Sequence, residues 1–250
     1  MSQPQALSAS FSADRGEASP SDTPDLAQEF RDYAYIVSHD LGAPARLMVE
    51  FARLLGQKQS AFADEEDRML IREIMDNGEK MRGMMQGLLS YSRLNTLAAP
   101  HVLVDTRKIA EHASLLMREK LKARKGRLTL GSLPHLMADP DQIMQLFSFL
   151  IDNAIKFARP GVPPEIHLES DGHPGGWQFS LRDNGSGIDP SDWNRVFKPF
   201  QKLHHDDEPA GVGMGLALAR KITALHGGRL WVESSSSSGT VMRFTLRDGA

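Results

Sequence analysis

The stretch WQFSLRDNGSGID, residues 177–189, joins an alternating apolar run to an Asp-x-Gly-x-Gly turn. Trp177, Phe179 and Leu181 recur at every second position, which predicts a strand with one face in a core. Asp183 closes that strand, where a carboxylate can accept a hydrogen bond from an exocyclic amine. Gly185 and Gly187 then let the backbone turn sharply and approach a flat ring. The same residues also fit an ordinary Asp-Asn-Gly turn, so their neighbours decide the reading.

Downstream, Asp192–Phe197 and Met214–His226 read as helices, and GRLWVES and TVMRFTL as strands, with SSSSS at 234–238 as the hairpin loop. Upstream, EIHLES alternates as a strand. Asp139-Pro140 supplies an N-cap and first-turn proline for a helix running to about Phe157. HVLVD and RLTLGSL are further short strands, separated by a helix over Thr106–Ala123. A half-buried sheet covered by helices on one face is an α+β sandwich, expected over residues 101–248.

Further upstream the period changes. Leu26, Phe30, Tyr33, Val37, Leu41, Pro44, Met48, Phe51 and Leu55 recur at steps of three and four, the seam of a long amphipathic helix. After the polar break GQKQSAFADEED the seam resumes with Leu70, Ile74, Asn77, Met81, Met84, Leu88 and Tyr91. Two helices of about 30 residues, each about 45 Å long, make an antiparallel hairpin over 25–96. Its apolar stripe needs a second copy to bury it, so the pattern predicts a homodimeric four-helix bundle. LeuAlaAlaPro at 97–100 reads as a linker. Residues 1–24, rich in Ser, Ala, Pro and Asp, read as a disordered tail.

Composition narrows the function classes. The 250 residues carry a formal charge of -3 and scattered basic residues, which gives no reason to expect nucleic acid as a partner. The absence of cysteine excludes disulfides, thiolate metal sites and a cysteine nucleophile. No signal peptide and no run of about 18 apolar residues is present. A cytoplasmic protein without membrane insertion is expected.

Three more segments carry chemistry. In SHDLGAPAR, residues 38–46, His39 points away from the helical seam, and Pro44 bends the helix just after it. Asp40 can draw a proton from one ring nitrogen and leave the other nucleophilic; a surface histidine with an acidic neighbour is the plain alternative. In LIDNAIKFA, residues 150–158, Asn153 and Lys156 share a helix face. An amide there suits Mg²⁺ and an ammonium suits phosphate, although two solvated polar residues look the same. In GVGMGLALARKI, residues 211–222, alternating glycines lead into a helix whose free N–H groups suit phosphate oxygens. It lacks the Lys-Ser/Thr ending of a P-loop. HHDDE at 204–208 reads as a solvated loop rather than a metal site, and MRGMMQG at 81–87 as bundle core.

Taken in order, the exposed histidine, Asn-x-x-Lys, D-x-G-x-G and glycine-rich helix start resemble the H, N, G1 and G2 boxes of sensor histidine kinases. FKPFQKLH at 197–204 resembles their F box. The resemblance spans about residues 25–247, and YIVSHDL with FQKLH looks closest to the phytochrome-like kinases. It implies a GHKL, or Bergerat, sandwich attached to a dimeric helical hairpin. The implied activity is ATP-dependent autophosphorylation of His39, with Asp40 as the acid/base beside it. The phosphoryl group would pass to an aspartate of a separate response regulator receiver domain. Asn153 would hold Mg²⁺, Lys156 the phosphates, and Asp183 the adenine amine, with Gly185 and Gly187 shaping the pocket. Lys202 would bind ATP from a lid of about residues 201–212, which Gly211, Gly213 and Gly215 terminate.

Two positions depart from the family pattern. Phe149 stands where many members carry a polar residue, a full turn before Asn153, and cannot ligate metal. That feature favours the alternative of a nucleotide-binding scaffold without autophosphorylation. Ala43 stands where phosphatase-competent members often carry Thr or Asn, so weak or absent phosphatase activity is expected. A tail of about 24 residues is too short for a sensor domain. The signal is therefore expected from a separate sensor protein in trans, from the tail, or from a domain outside this chain.

Overall fold

A computed structural model describes residues 42, 45–55, 65–94, 100–203 and 211–248. Helices α1 (residues 45–55) and α2 (Glu65–Arg93) come first. They meet at Gly78, where any side chain would run into Val49 of α1. His39, Asp40 and Ala43 lie outside the described residues, as does the HHDDE segment.

Among the described residues, the rest of the chain builds two sheets and four α-helices. In order these are β1 (Val102–Asp105), α3 (Thr106–Leu116), α4 (Arg118–Ala123), β2 (Arg127–Leu130), β3 (His135–Ala138) and α5 (Pro140–Lys156). There follow β4 (Glu165–His173), β5 (Gly176–Asp183), α6 (Gly215–Leu225), β6 (Leu230–Ser236) and β7 (Gly239–Arg247). The main sheet has the order β2-β4-β5-β7-β6, with β2 parallel to β4 and the other pairs antiparallel. β1 and β3 form a separate antiparallel pair.

The main sheet turns one face into the core. Phe179 and Leu181 of β5 line up there with Met242, Phe244 and Leu246 of β7, all buried. Phe179 stacks on Phe244 with ring centroids 4.8 Å apart, and Phe147 of α5 meets both rings at 6.1 and 6.3 Å. All three rings are fully buried. Aromatic pairs of this kind add about 0.5–1.5 kcal/mol each beyond the area they bury. This lock fixes α5 across the sheet, and α5 carries Asn153 and Lys156. The Asp139 carboxylate starts the helix by accepting the N–H groups of Asp141 and Gln142, with Pro140 at the first position.

Three local expectations are corrected, and one strand was not foreseen. The helix expected over Thr106–Ala123 divides at Met117 (φ -94°, ψ 1°), and the bend lets Leu121 enter the core. Asp192–Phe197 forms two single 3-10 turns, Pro190–Asp192 and Arg195–Phe197. β3 had no period-two pattern long enough to find. The serine run is mostly strand, with Ser234–Ser236 paired to β7 and only Ser237 and Ser238 in the turn. Among the described residues, no helix is long and apolar enough to cross a membrane.

Candidate functional site

At the end of the sheet where β5 finishes and β7 begins, a cavity of about 400 Å³ opens between α5, the 183–188 turn and the glycine-rich start of α6. That volume lies within the ~300–1,000 Å³ usual for small-molecule sites. Asn153, Lys156, Asp183, Gly187, Lys202, Gly211, Gly213 and Gly215 all line it. Residues up to 62 positions apart in sequence thus face one space. Gly185 does not line it; it lies buried behind the turn, where its N–H donates to Asp183 Oδ1 at 2.8 Å.

Asp183 is held by its place in the sheet. It pairs across the ladder with Thr240, whose backbone N–H donates to the same carboxylate oxygen at 3.2 Å. Burial pushes the Asp183 carboxyl above its ordinary range, and the two N–H groups pull only partly against that. A half-buried carboxylate that lines a cavity is an acceptor for an amine of a flat ligand. Thr240 lines the cavity beside it, and Thr240 Oγ1 lies 3.1 Å from Ser235 Oγ.

Asn184 explains its own place in the motif. Its side chain accepts the Glu165 N–H at 2.9 Å and donates to the Pro163 carbonyl at 3.0 Å, pinning the turn to the start of β4. Gly187 has φ +82°, and a side chain there would strike the Ser236 carbonyl oxygen. Ser186 N–H donates to the Phe157 carbonyl at 2.9 Å, so the turn is fastened to the end of α5. Arg124, just after α4, adds a hydrogen bond of 2.5 Å to the Ile155 carbonyl, a cation at a helix C-terminus.

Lys156 is engaged in the described structure. Its ammonium pairs with Asp152 Oδ2 at 2.6 Å, and Lys120 of α4 pairs with Asp152 Oδ1 at 2.5 Å. Burial by itself would push the Asp152 carboxyl up; hydrogen bonds from Lys120 and Lys156 outweigh it and hold the group below the usual carboxylate range. On the opposite side, Gly213 has φ +73° and sits against the backbone of Gln201. Phe200 N–H donates to the Gly213 carbonyl at 3.0 Å, which holds residues 200 and 213 together. Phe149 lines the cavity too, packed against the start of α6 near Gly215.

The sequence reading missed a whole wall. Gln86, Gly87 and Ser90 of α2 also line the cavity. The glycines of the MRGMMQG run face the glycine-rich segment: a Cβ at Gly83 would stand 2.8 Å from Val212, and one at Gly87 2.6 Å from Met214. α2 is held there at its C-terminal end, where helix carbonyls lack intrahelical partners. Lys221 of α6 donates to the Tyr91 carbonyl at 2.8 Å, and Gln142 of α5 donates to the Leu94 carbonyl at 3.4 Å. Asp152 and Thr240 line the cavity as well, and no motif singled them out. Small residues four apart, Gly83 and Gly87, were the one sequence signal for the α2 wall.

The donor set fits a nucleotide with a divalent cation. An amide at Asn153 and an ammonium at Lys156 stand on one wall, and the half-buried Asp183 carboxylate stands at the sheet end. Among the described residues, no group of three or more His, Asp or Glu side chains is placed to hold a metal by itself.

Residues 138–250 match the family described as histidine kinase-, DNA gyrase B-, and HSP90-like ATPase. The chain is 37% identical over 221 residues to cyanobacterial phytochrome A of Nostoc sp., covering 88% of this chain and 29% of that protein. It is 33% identical over 226 residues to the methanogenesis regulatory histidine kinase of Methanothrix harundinacea, covering 87% of this chain and 24% of that one. The chain thus spans less than a third of these curated relatives. Among solved structures, full-length ShkA in complex with AMPPNP superposes with a TM-score of 0.64 at 23% identity, over 88% of this chain and 47% of that one. The Acinetobacter baumannii histidine kinase AdeS gives a TM-score of 0.58 at 21% identity, over 82% of this chain and 96% of that one.

Proposed function

We propose that the chain, whose residues 138–250 match the histidine kinase-, DNA gyrase B-, and HSP90-like ATPases, is a sensor histidine kinase catalytic core of phytochrome-like type that phosphorylates its own His39 from ATP and passes the phosphoryl group to an aspartate of a separate response regulator. The observation that carries this reading is the single cavity that gathers Asn153, Lys156, Asp183 and the glycine-rich segment from three separate motifs.

Each residue then has a physical task. Asp183 accepts a hydrogen bond from the adenine amine, with Gly185 holding the carboxylate and Gly187 leaving room for the ring. Lys156 offsets phosphate charge, and Lys202 approaches the nucleotide from the lid. The Asn153 amide oxygen holds Mg²⁺, which supplies charge neutralisation on the phosphates. His39, oriented by Asp40, attacks the γ-phosphorus through a ring nitrogen. The bond to the β–γ bridging oxygen breaks, and ADP leaves with that electron pair. The protein's contribution is mostly positioning and electrostatics.

The homodimer belongs to the same proposal, with a hairpin over 25–96 and an ATP-binding domain over 101–248. Leu47, Phe51, Leu70 and Ile74 on α1 and α2 are each at least half exposed, which supports burial against a second copy. A cytoplasmic location and a separate sensor acting in trans complete it. One observation favours a second reading, a scaffold that binds nucleotide without autophosphorylation: Phe149 occupies the cavity wall a turn before Asn153 and offers no metal donor.

The test is incubation with γ-labelled ATP and Mg²⁺, comparing wild type with His39→Ala and Asn153→Ala. Acid-labile, base-stable label on the wild type alone supports the kinase. Wild-type protein that binds ATP yet takes up no label overturns it in favour of the scaffold.

A further inference from the structure

The wall of the cavity nearest the glycine-rich segment contains a charged triad that no motif announced. Asp152 precedes Asn153 on α5 and lines the cavity with it and with Lys156. Its two carboxylate oxygens are divided between two lysines, Lys156 at 2.6 Å on its own helix and Lys120 at 2.5 Å from α4. The side chains are graded in exposure, 19% for Asp152, 31% for Lys156 and 56% for Lys120. The Lys156 ammonium also lies 3.5 Å from where a Cβ of Gly211 would stand, so it sits between the carboxylate and the glycine-rich segment.

This arrangement creates a competition. Lys156 is the cavity's ammonium beside the glycine-rich segment, and a carboxylate four residues earlier already holds it. An entering phosphate must share or displace that carboxylate, while the negative charge of Asp152 repels it. Lys120 acts from the other side, drawing the carboxylate toward α4 and weakening its hold on Lys156. We propose that Asp152 is a positioning residue that sets the affinity for nucleotide phosphates by competing with them for Lys156, and that Lys120 tunes this competition. The inference rests on the reading of the cavity as a nucleotide site.

The test is calorimetric titration of the full chain with adenosine and with ADP, without Mg²⁺. Asp152→Asn should bind ADP about fivefold more tightly, the scale of one partly exposed ion pair, with adenosine binding unchanged. Asp152→Glu, which keeps the charge, should retain wild-type discrimination between the two ligands. Lys120→Met leaves the carboxylate to Lys156 alone and should weaken ADP but not adenosine. ADP affinity that is unchanged or weaker in Asp152→Asn, or that moves in parallel with adenosine, overturns the inference. A wild type that fails to bind adenosine overturns the nucleotide reading beneath it.

Discussion

The Lys221 ammonium lies 4.0 Å from the centre of the Tyr91 ring and donates to the Tyr91 carbonyl at 2.8 Å, joining α6 to α2 by two interactions at once. α6 begins at the glycine-rich segment, and α2 forms the opposite wall of the cavity. Lys221→Met should loosen this contact by about 1 kcal/mol, the usual scale of a cation–π pair. Hydrogen exchange should then quicken in the last turns of α2 while the main sheet stays protected; unchanged protection of α2 would count against the latch.

Gly87 tests the same wall by steric means. A Cβ there would stand 2.6 Å from Met214 Cγ and 3.1 Å from Met214 Cβ. Overpacking costs about 1–3 kcal/mol, and moving α2 outward relieves it. Gly87→Leu should therefore speed release of a fluorescent nucleotide by roughly tenfold, measured by stopped flow.

Asp183 gives a prediction in which binding and stability part company. Burial raises its carboxyl above the ordinary range, so the folded protein favours the protonated form. The associated stability is present below the unfolded-state pKa and is lost as pH rises through the raised folded-state value. At neutral pH the buried charge is thus a cost. Asp183→Asn keeps an oxygen for the Gly185 and Thr240 N–H groups and should hold or raise the melting temperature. Nucleotide affinity should fall at least about tenfold, because a lost acceptor leaves a buried donor unpaired.

His226 predicts a pH slope. It is fully buried, its ring 4.8 Å from that of His101 and nearly parallel to it. The Ile222 carbonyl can only accept, so Nδ1 carries the hydrogen in the 2.9 Å contact, and Nε2 accepts the Asp139 N–H at 3.2 Å. Desolvation lowers its pKa, with His101 adding to the effect and the Ile222 carbonyl and Asp139 opposing it. The unfolded chain therefore binds this proton first, and stability falls as pH drops from about 6.5 toward the folded-state value. His226→Phe should lower stability by about 1–3 kcal/mol by removing the acceptor of the Asp139 N–H, and should flatten the slope between pH 5 and 7 in thermal melts.

Phe149 decides between the two functional readings. Phe149→Asn places an amide one helical turn before Asn153, on the cavity wall. It should cost about 1–3 kcal/mol of stability through lost packing. Mg²⁺-dependent ATP affinity should rise relative to Mg²⁺-free affinity in paired titrations. A ratio that does not move would show that Phe149 stands outside the metal's surroundings.

Much of the sheet domain was legible before any coordinates. The alternation at Trp177, Phe179 and Leu181 marked β5, and Asp139-Pro140 marked the start of α5 within a residue. Both signals are local: side chains alternate across a strand, and a cap satisfies N–H groups two and three residues away. The errors were local conflicts settled at a distance. Thr106–Ala123 has helical propensity throughout, but burial of Leu121 imposes the bend at Met117. β3 exists because β1 offers it a partner.

By itself the sequence determined which residue types the site has and in what order: Asn153 before Lys156 on a helix, Asp183 closing a strand, glycines opening α6. Those are properties of single segments, set by period, capping and backbone freedom. Only the tertiary structure decided what these residues meet. The register of β5 on β7 puts the Thr240 N–H on Asp183, the approach of α4 divides Asp152 between Lys120 and Lys156, and the seating of Gly83 and Gly87 makes α2 a wall of the cavity. Each of these contacts joins residues more than 30 positions apart, or depends on one that does, and no periodicity within a segment encodes which distant surface will fill the space beside it.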